Sequence, residues 1–91
     1  MKSIIQDDMT CCYVCGRYGT ETHHIFFGNP NRKLSDRYGL VIGLCAEHHR
    51  GNTGVHQSRE LDIAMKQVGQ RAFKHHYPNE DFMKIFGKNY L

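Results

Sequence analysis

The fold turns on two stretches, "CCYVCGRYGTETHHI" (residues 11–25) and "LCAEHHRGNTGVH" (residues 44–56). Each carries cysteine followed by an adjacent histidine pair. Cys12 and Cys15 form C-x2-C, and Cys45 and His48 form C-x2-H. Two-residue spacing lets both side chains of a tight turn face one ion, and two such knuckles supply the four ligands of a tetrahedral zinc site. Gly16 follows the first knuckle and suits the unusual backbone angles such a turn needs. Three cysteines and one histidine leave the ion no open position, so this zinc is expected to be structural. Cys11 is left over. It replaces Cys12 only as C-x3-C, a poorer fit to a tight knuckle, and reads as a buried or half-exposed thiol.

The remainder of the composition sets the context. A chain of 91 residues makes one domain, 1–91, with a core small enough to profit from a metal staple. A hydrophobic share of 40%, with five Tyr and five Phe, favours a packed core over disorder. No apolar run approaches the ~18 residues needed to span a bilayer. The opening "MKSIIQDDMT" lacks the apolar run of an export signal. A cytoplasmic location, in a bacterial or phage-infected cell, and reduced thiols are therefore expected, which favours metal binding over disulfides. The net charge of +3 is compatible with a nucleic-acid partner.

Outward from the two stretches, a metal-binding core is expected over 11–56 and a helical part over 57–91. "HHIFF" (23–27) and "GLVIGL" (39–44) read as two strands, joined by the polar connection "GNPNRKLSDRYG". "AEHHR" (46–50) reads as a helix that Gly51 and Gly54 stop early. Between 58 and 77, Leu61, Met65, Val68, Ala72 and Phe73 recur at helical spacing, with Ser58 as N-cap and Pro78 as terminator. "NEDFMKIFG" predicts a short helix capped by Asn79 and ended by Gly87, with Phe82, Ile85 and Phe86 on one face.

His23, His24, His49 and His56 remain after the zinc ligands are assigned. On a strand, His23 and His24 point to opposite faces and take different roles. One binds a metal while the other faces a substrate or is held by a backbone carbonyl. His49 adjoins a zinc ligand, and His56 follows the "RGNTG" turn in a place to fold back on the same ion. His75 and His76 end the long helix, where positive charge suits the helix dipole, and read as solvated or structural.

The order C-x2-C, "ETHHI", "GLVIGLC-x2-HH" over roughly residues 11–60 resembles the HNH endonucleases and their ββα-metal motif. It is most similar to small phage and prophage HNH proteins of the recombination-enhancing kind. The resemblance implies an α+β fold: a zinc-stabilised, treble-clef-like ββα-metal core followed by a long and a short helix. It implies His23 and His49 as catalytic-metal ligands and His24 as general base. Members often carry a further ligand three or four residues after the position of His49. Here Asn52 and Thr53 stand there, so His56 is assigned that place, with Asn52 as competitor. The family's central asparagine, which orients the base, has no counterpart among Tyr38, Gly39 and Leu40. Ser35, Asn31 or a backbone carbonyl is left to orient His24.

The implied activity is metal-dependent hydrolysis of DNA phosphodiester bonds. A divalent ion with three protein ligands stabilises the developing phosphorane and the leaving oxygen. A neutral imidazole deprotonates the attacking water, with Glu21 as acceptor for an imidazole N–H. Imidazole ligation suits Zn²⁺, Ni²⁺ or Co²⁺, while Mn²⁺ and Mg²⁺ stay open. Arg17, Arg32, Lys33, Arg37 and Arg50 are the candidate phosphate contacts, Arg50 foremost. No segment reads as a base-reading helix, so little intrinsic sequence preference is expected. Two other readings use the same residues: a noncatalytic zinc-stabilised nucleic-acid-binding module, and an accessory protein of a phage recombination or packaging complex.

Overall fold

The computed structural model describes residues 2–91. Its elements run β1 (Glu21–His24), α1 (Asn31–Tyr38), β2 (Val41–Leu44), α2 (Ala46–Arg50), α3 (Arg59–His76) and α4 (Phe82–Phe86). The α+β class is as expected. β1 and β2 form a two-stranded antiparallel sheet that pairs Glu21 with Leu44, Thr22 with Gly43, His23 with Ile42 and His24 with Val41. Both strands are shorter than expected. β1 ends at His24, and the Ile25 N–H to Leu40 carbonyl bond (3.1 Å) closes the ladder before the chain turns away.

The largest departure is the connection between the strands. The segment expected as a polar loop contains α1, framed by Pro30 at its N-cap and Gly39 at its C-cap with φ 71°. Its anchor is polar. The buried Ser35 hydroxyl donates to the Phe26 carbonyl (2.7 Å) and accepts from the Phe26 N–H (3.1 Å). Leu34 and Tyr38, one turn apart, pack on the core, with Tyr38 5.3 Å from Phe73 and 5.2 Å from Tyr77 between ring centroids. Two apolar residues in eight give too faint a period to mark a helix.

The N-terminal segment, without a sequence signal of its own, covers the far edge of β2. Ile4 N–H donates to the Gly39 carbonyl (2.9 Å), Ser3 Oγ to the Val41 carbonyl (2.5 Å), and Gly43 N–H to Gln6 Oε1 (2.8 Å). Pairing the edge in this way removes donors and acceptors that would otherwise invite another strand.

The helices after residue 57 follow the apolar spacing. Ser58 caps α3 by accepting from the Leu61 N–H (3.2 Å), and the helix ends before Pro78. Its inward face holds Met65, Gly69, Gln70 and Phe73. Gly69 permits close approach, since a Cβ there would lie 3.0 Å from Ile25 Cγ2 and 3.1 Å from Phe26 Cε2. α4 is capped by Asp81 rather than Asn79, because Asp81 Oδ1 accepts from the N–H groups of Met83 and Lys84. Phe26 sits at the centre of the resulting core, with ring centroids 5.2 Å from Phe82, 4.8 Å from Phe86 and 5.3 Å from Tyr90. No helix among the described residues is long and apolar enough to cross a membrane.

Candidate metal centres and a histidine-lined pocket

Cys12, Cys15, Cys45 and His48 converge from two tight turns. The first is a knuckle. Gly16 N–H donates to the Cys12 carbonyl (2.8 Å), Cys12 N–H to the Arg17 carbonyl (2.8 Å), and Gly16 takes φ 80°. The second is the start of α2, where Cys45 is the N-cap and His48 stands one turn on. Cys15 Sγ lies 3.8 Å from Cys45 Sγ, and His48 Nδ1 lies 3.3 Å from Cys45 Sγ and 3.8 Å from Cys12 Sγ. A tetrahedral ion with zinc-like bond lengths needs edges of about 3.8 Å between sulfurs and ~3.5 Å between sulfur and nitrogen. The four side chains therefore fit one closed, four-coordinate ion.

The thiols differ in how readily they ionise. Burial opposes ionisation of Cys12, but N–H groups of Cys45, Cys15 and Val14 outweigh it and bring the thiol down to about 6. An N–H of Arg17 draws the Cys15 thiol down, yet burial and the sulfurs of Cys12 and Cys45 outweigh it and leave the thiol raised. Crowded sulfurs that resist joint ionisation are stabilised by a cation among them. Cys11 stays outside this centre, half-buried, with its thiol 3.5 Å from Asp8 Oδ2.

His23, His49 and His56 form the second cluster, their ligand nitrogens within 4.8 Å of one another. Each reaches it differently. His23 is on the inward face of β1 and 2% exposed, while His24, its neighbour, is half-buried. His49 follows the first centre's His48 along α2, so successive residues serve separate centres. His56 arrives because the 51–56 turn folds back along α2, with Val55 N–H bonded to the His48 carbonyl (2.9 Å) and His56 N–H to the His49 carbonyl (3.3 Å). Asn52, the competitor for this place, is exposed and does not line the pocket formed around these histidines.

The Nε2 atoms of His49 and His56 lie 3.2 Å apart, close to the ~3.3 Å edge between two imidazoles on a tetrahedral ion. His23 Nε2 is buried and without a hydrogen-bond partner. An orphaned buried nitrogen is costly unless something binds it. Burial, helped by the neighbouring His49 and His56, depresses His23 to about 3, so its ring stays neutral with a lone pair to offer. Burial also lowers His56. This donor set fits a divalent ion that favours imidazole and keeps a coordination position open.

Glu21 holds His49 from behind, its Oε1 accepting from His49 Nδ1 at 2.7 Å. The same carboxylate receives Arg50 through Nε (3.0 Å) and through the terminal guanidinium nitrogen Nη2. His49 first and Arg50 second hold Glu21 below the usual carboxylate range. A carboxylate behind an imidazole fixes its tautomer and aims the far nitrogen. Glu21 thus takes the expected place of an acceptor for an imidazole N–H, and the imidazole is that of His49. Arg50, expected foremost on phosphate, is engaged by Glu21, with its side chain still 67% exposed.

His24 Nε2 lies 2.6 Å from Asp36 Oδ1, so neither Asn31 nor Ser35 orients it. No protein-family model, curated protein or solved structure matches the chain. Thr22, His23, His24, Phe27, Arg32, His49 and His56 line one pocket of about 250 Å³. Of the candidate phosphate contacts, only Arg32 lines it. Arg37 borders a separate groove with Lys2 and His76, and Lys33 and Arg17 are exposed elsewhere. His75 and His76 are exposed and outside both clusters.

Asp36, Thr22 and Phe27 had no sequence signal as site residues. The clue to Asp36 was the Pro30–Gly39 frame, which matches the N-terminal Pro and C-terminal Gly asymmetry of helices. A helix there places residues four apart, such as Arg32 and Asp36, on one face.

Proposed function

We propose that this protein is a metal-dependent endonuclease of the HNH type that hydrolyses DNA phosphodiester bonds, with a structural zinc on Cys12, Cys15, Cys45 and His48. The reading is carried by one juxtaposition: a fourth histidine, His24, borders the same small pocket as the converging His23, His49 and His56. A structural site needs no such neighbour. A divalent ion on the three imidazoles supplies Lewis-acid stabilisation of the charge that builds on phosphate and leaving oxygen.

The chain's own residues do the rest. His23, His49 and His56 bind as neutral donors, and Glu21 holds His49 in the tautomer that presents Nε2. His24 takes the proton of the attacking water. Arg32, at the pocket wall, pairs with a phosphate oxygen. The pocket sits on a strand and two short helices and has no element shaped to enter a DNA groove. Backbone contact without sequence readout follows.

A second reading has its own observation. Tyr13 (37% exposed) and Tyr18 (76% exposed) flank the exposed Arg17 on the first knuckle. Aromatic rings beside a cation suit base stacking by a noncatalytic nucleic-acid-binding module. Metal content per chain, measured after equilibration with slight zinc excess and desalting, separates the two when paired with cleavage assays. The nuclease reading expects about two ions per chain. It also expects nicking of plasmid or oligonucleotide DNA with at least one of Zn²⁺, Ni²⁺, Co²⁺, Mn²⁺ or Mg²⁺. His24→Ala should lose cleavage about 100-fold or more while keeping both ions and its melting temperature. One ion per chain and no cleavage favours the binding module, and undiminished cleavage by His24→Ala removes His24 as base.

A further inference from the structure

We infer that Asp36 is the positioning residue of the proposed reaction: it holds the His24 ring by Nε2 and thereby makes Nδ1 the atom that accepts the proton from water. The inference rests on the nuclease reading and deepens it.

The first observation is the contact. His24 Nε2 and Asp36 Oδ1 are 2.6 Å apart, a length typical of a strong bond to a carboxylate. An ionised carboxylate only accepts, so the proton on that bond belongs to Nε2. In the neutral ring Nδ1 then carries the lone pair. Asp36 thus selects the tautomer as well as the orientation.

The second observation is where the carboxylate comes from. Asp36 is on α1, which Pro30 and Gly39 frame and the buried Ser35 ties to the Phe26 backbone through two hydrogen bonds. Ser35 precedes Asp36 directly, so the residue next to the carboxylate is fixed against the core. An exposed acid on a loose loop would not hold the ring in one orientation; an acid on an anchored helix does. The Asp36 side chain is 43% exposed and has no cation bonded to it among the described residues, so its Oδ1 bond goes to His24 alone.

The third observation is the partner one turn earlier. Arg32 lines the pocket that His24 borders. Residues i and i+4 share a helix face. One face of α1 therefore carries a phosphate-binding cation and the carboxylate that aims the base. The backbone of His23 and His24 is paired to Ile42 and Val41, which fixes the strand from which the ring projects. Ring, carboxylate and cation are all mounted on hydrogen-bonded elements, the condition for a base held in a reactive pose.

The step balances as a hydrolysis. A water O–H bond breaks and its proton passes to His24 Nδ1. The water oxygen forms a bond to phosphorus, the bond from phosphorus to the leaving oxygen breaks, and that oxygen leaves with a proton from solvent. The carboxylate keeps its charge and stabilises the imidazolium that forms, as an orienting acid behind a histidine base does.

The test compares wild type with Asp36→Ala, a change at an exposed helix position that leaves both metal clusters intact. Turnover and KM are measured on DNA with the most active of the five ions, alongside metal content, melting temperature and the ¹⁵N spectrum of the His24 ring in zinc-loaded protein. The expected result is a fall in kcat of about 10- to 100-fold with KM, metal content and melting temperature nearly unchanged. The ring should show the Nε2–H tautomer in wild type and a tautomer mixture in the variant. An unchanged kcat in Asp36→Ala, or a wild-type ring with its proton on Nδ1, overturns the assignment. So does a loss of activity that tracks loss of metal. A wild-type chain that cleaves with none of the ions overturns the nuclease reading itself, and the catalytic role of Asp36 falls with it.

Discussion

At the scale of single residues, His23 shows how burial prepares a ligand. A histidine buried among Phe27 and two further imidazoles holds its proton poorly, so the ring is neutral when a metal arrives and no proton has to be expelled first. That preparation has a pH signature. The ordinary value of 6.5 applies to the unfolded chain and about 3 to the folded one, so the unfolded chain binds more protons between them. The stability associated with the neutral ring is complete above about pH 6.5 and drains away as pH falls towards 3. Proton competition for any bound metal acts in the same direction. Melting temperature followed from pH 7.5 to pH 4 should therefore drop, and His23→Gln, which is polar but cannot titrate there, should give a shallower slope. Equal slopes would mean His23 is not buried neutral.

At the scale of elements, the 51–56 turn decides whether the second cluster has two histidines or three. Gly54 is buried against the end of α2, and a Cβ there would lie 2.7 Å from the Glu47 carbonyl oxygen and 2.8 Å from the carbonyl carbons of His48 and His49. All three are backbone atoms, so no side chain can swing away. Gly54→Ala should push the turn off α2, at a cost of about 1–3 kcal/mol typical of overpacking. His56 moves with it. The expected readout is loss of one metal per chain in elemental analysis while the ion on the cysteines stays. Two ions retained at wild-type affinity would show that the turn tolerates the methyl group. α1 matters at the same scale, because a loop in its place would leave His24 without an anchored carboxylate.

At the scale of the molecule, the aromatic core and the histidine cluster share one short segment, residues 23–26. His23 points to the second cluster, and Phe26, three residues on, is the ring around which Phe82, Phe86 and Tyr90 assemble. α3 packs along this segment, with Gly69 on Phe26 and Lys66 4.2 Å above the Phe27 ring at the pocket wall. Phe26→Ala removes the central ring, and about 3–5 kcal/mol is expected to go with it. Against the 5–15 kcal/mol of an ordinary domain that is a large share. Urea unfolding monitored by circular dichroism checks it. A loss below about 1 kcal/mol would place the centre of the core elsewhere.

Much of this architecture is local in origin and so was legible in the chain. The C-x2-C and C-x2-H knuckles, the apolar period of α3 with Ser58 and Pro78 at its ends, and Gly51 as the stop of α2 each depend on residues a few positions apart. Strand alternation likewise anticipated that His23 and His24 differ, the one buried in the cluster and the other half-buried outside it. What needed the third dimension were pairings between segments that carry no mark of one another. A lone Asp36 in a polar stretch does not announce that it meets His24, twelve residues away, and Glu21 does not announce that it serves His49 and Arg50. α1 itself was hidden because its anchor is a buried serine hydroxyl, whose value comes entirely from the Phe26 backbone it meets. The two candidate ligand knuckles follow from short-range spacing; which carboxylate steadies which imidazole is settled only when helix and sheet pack.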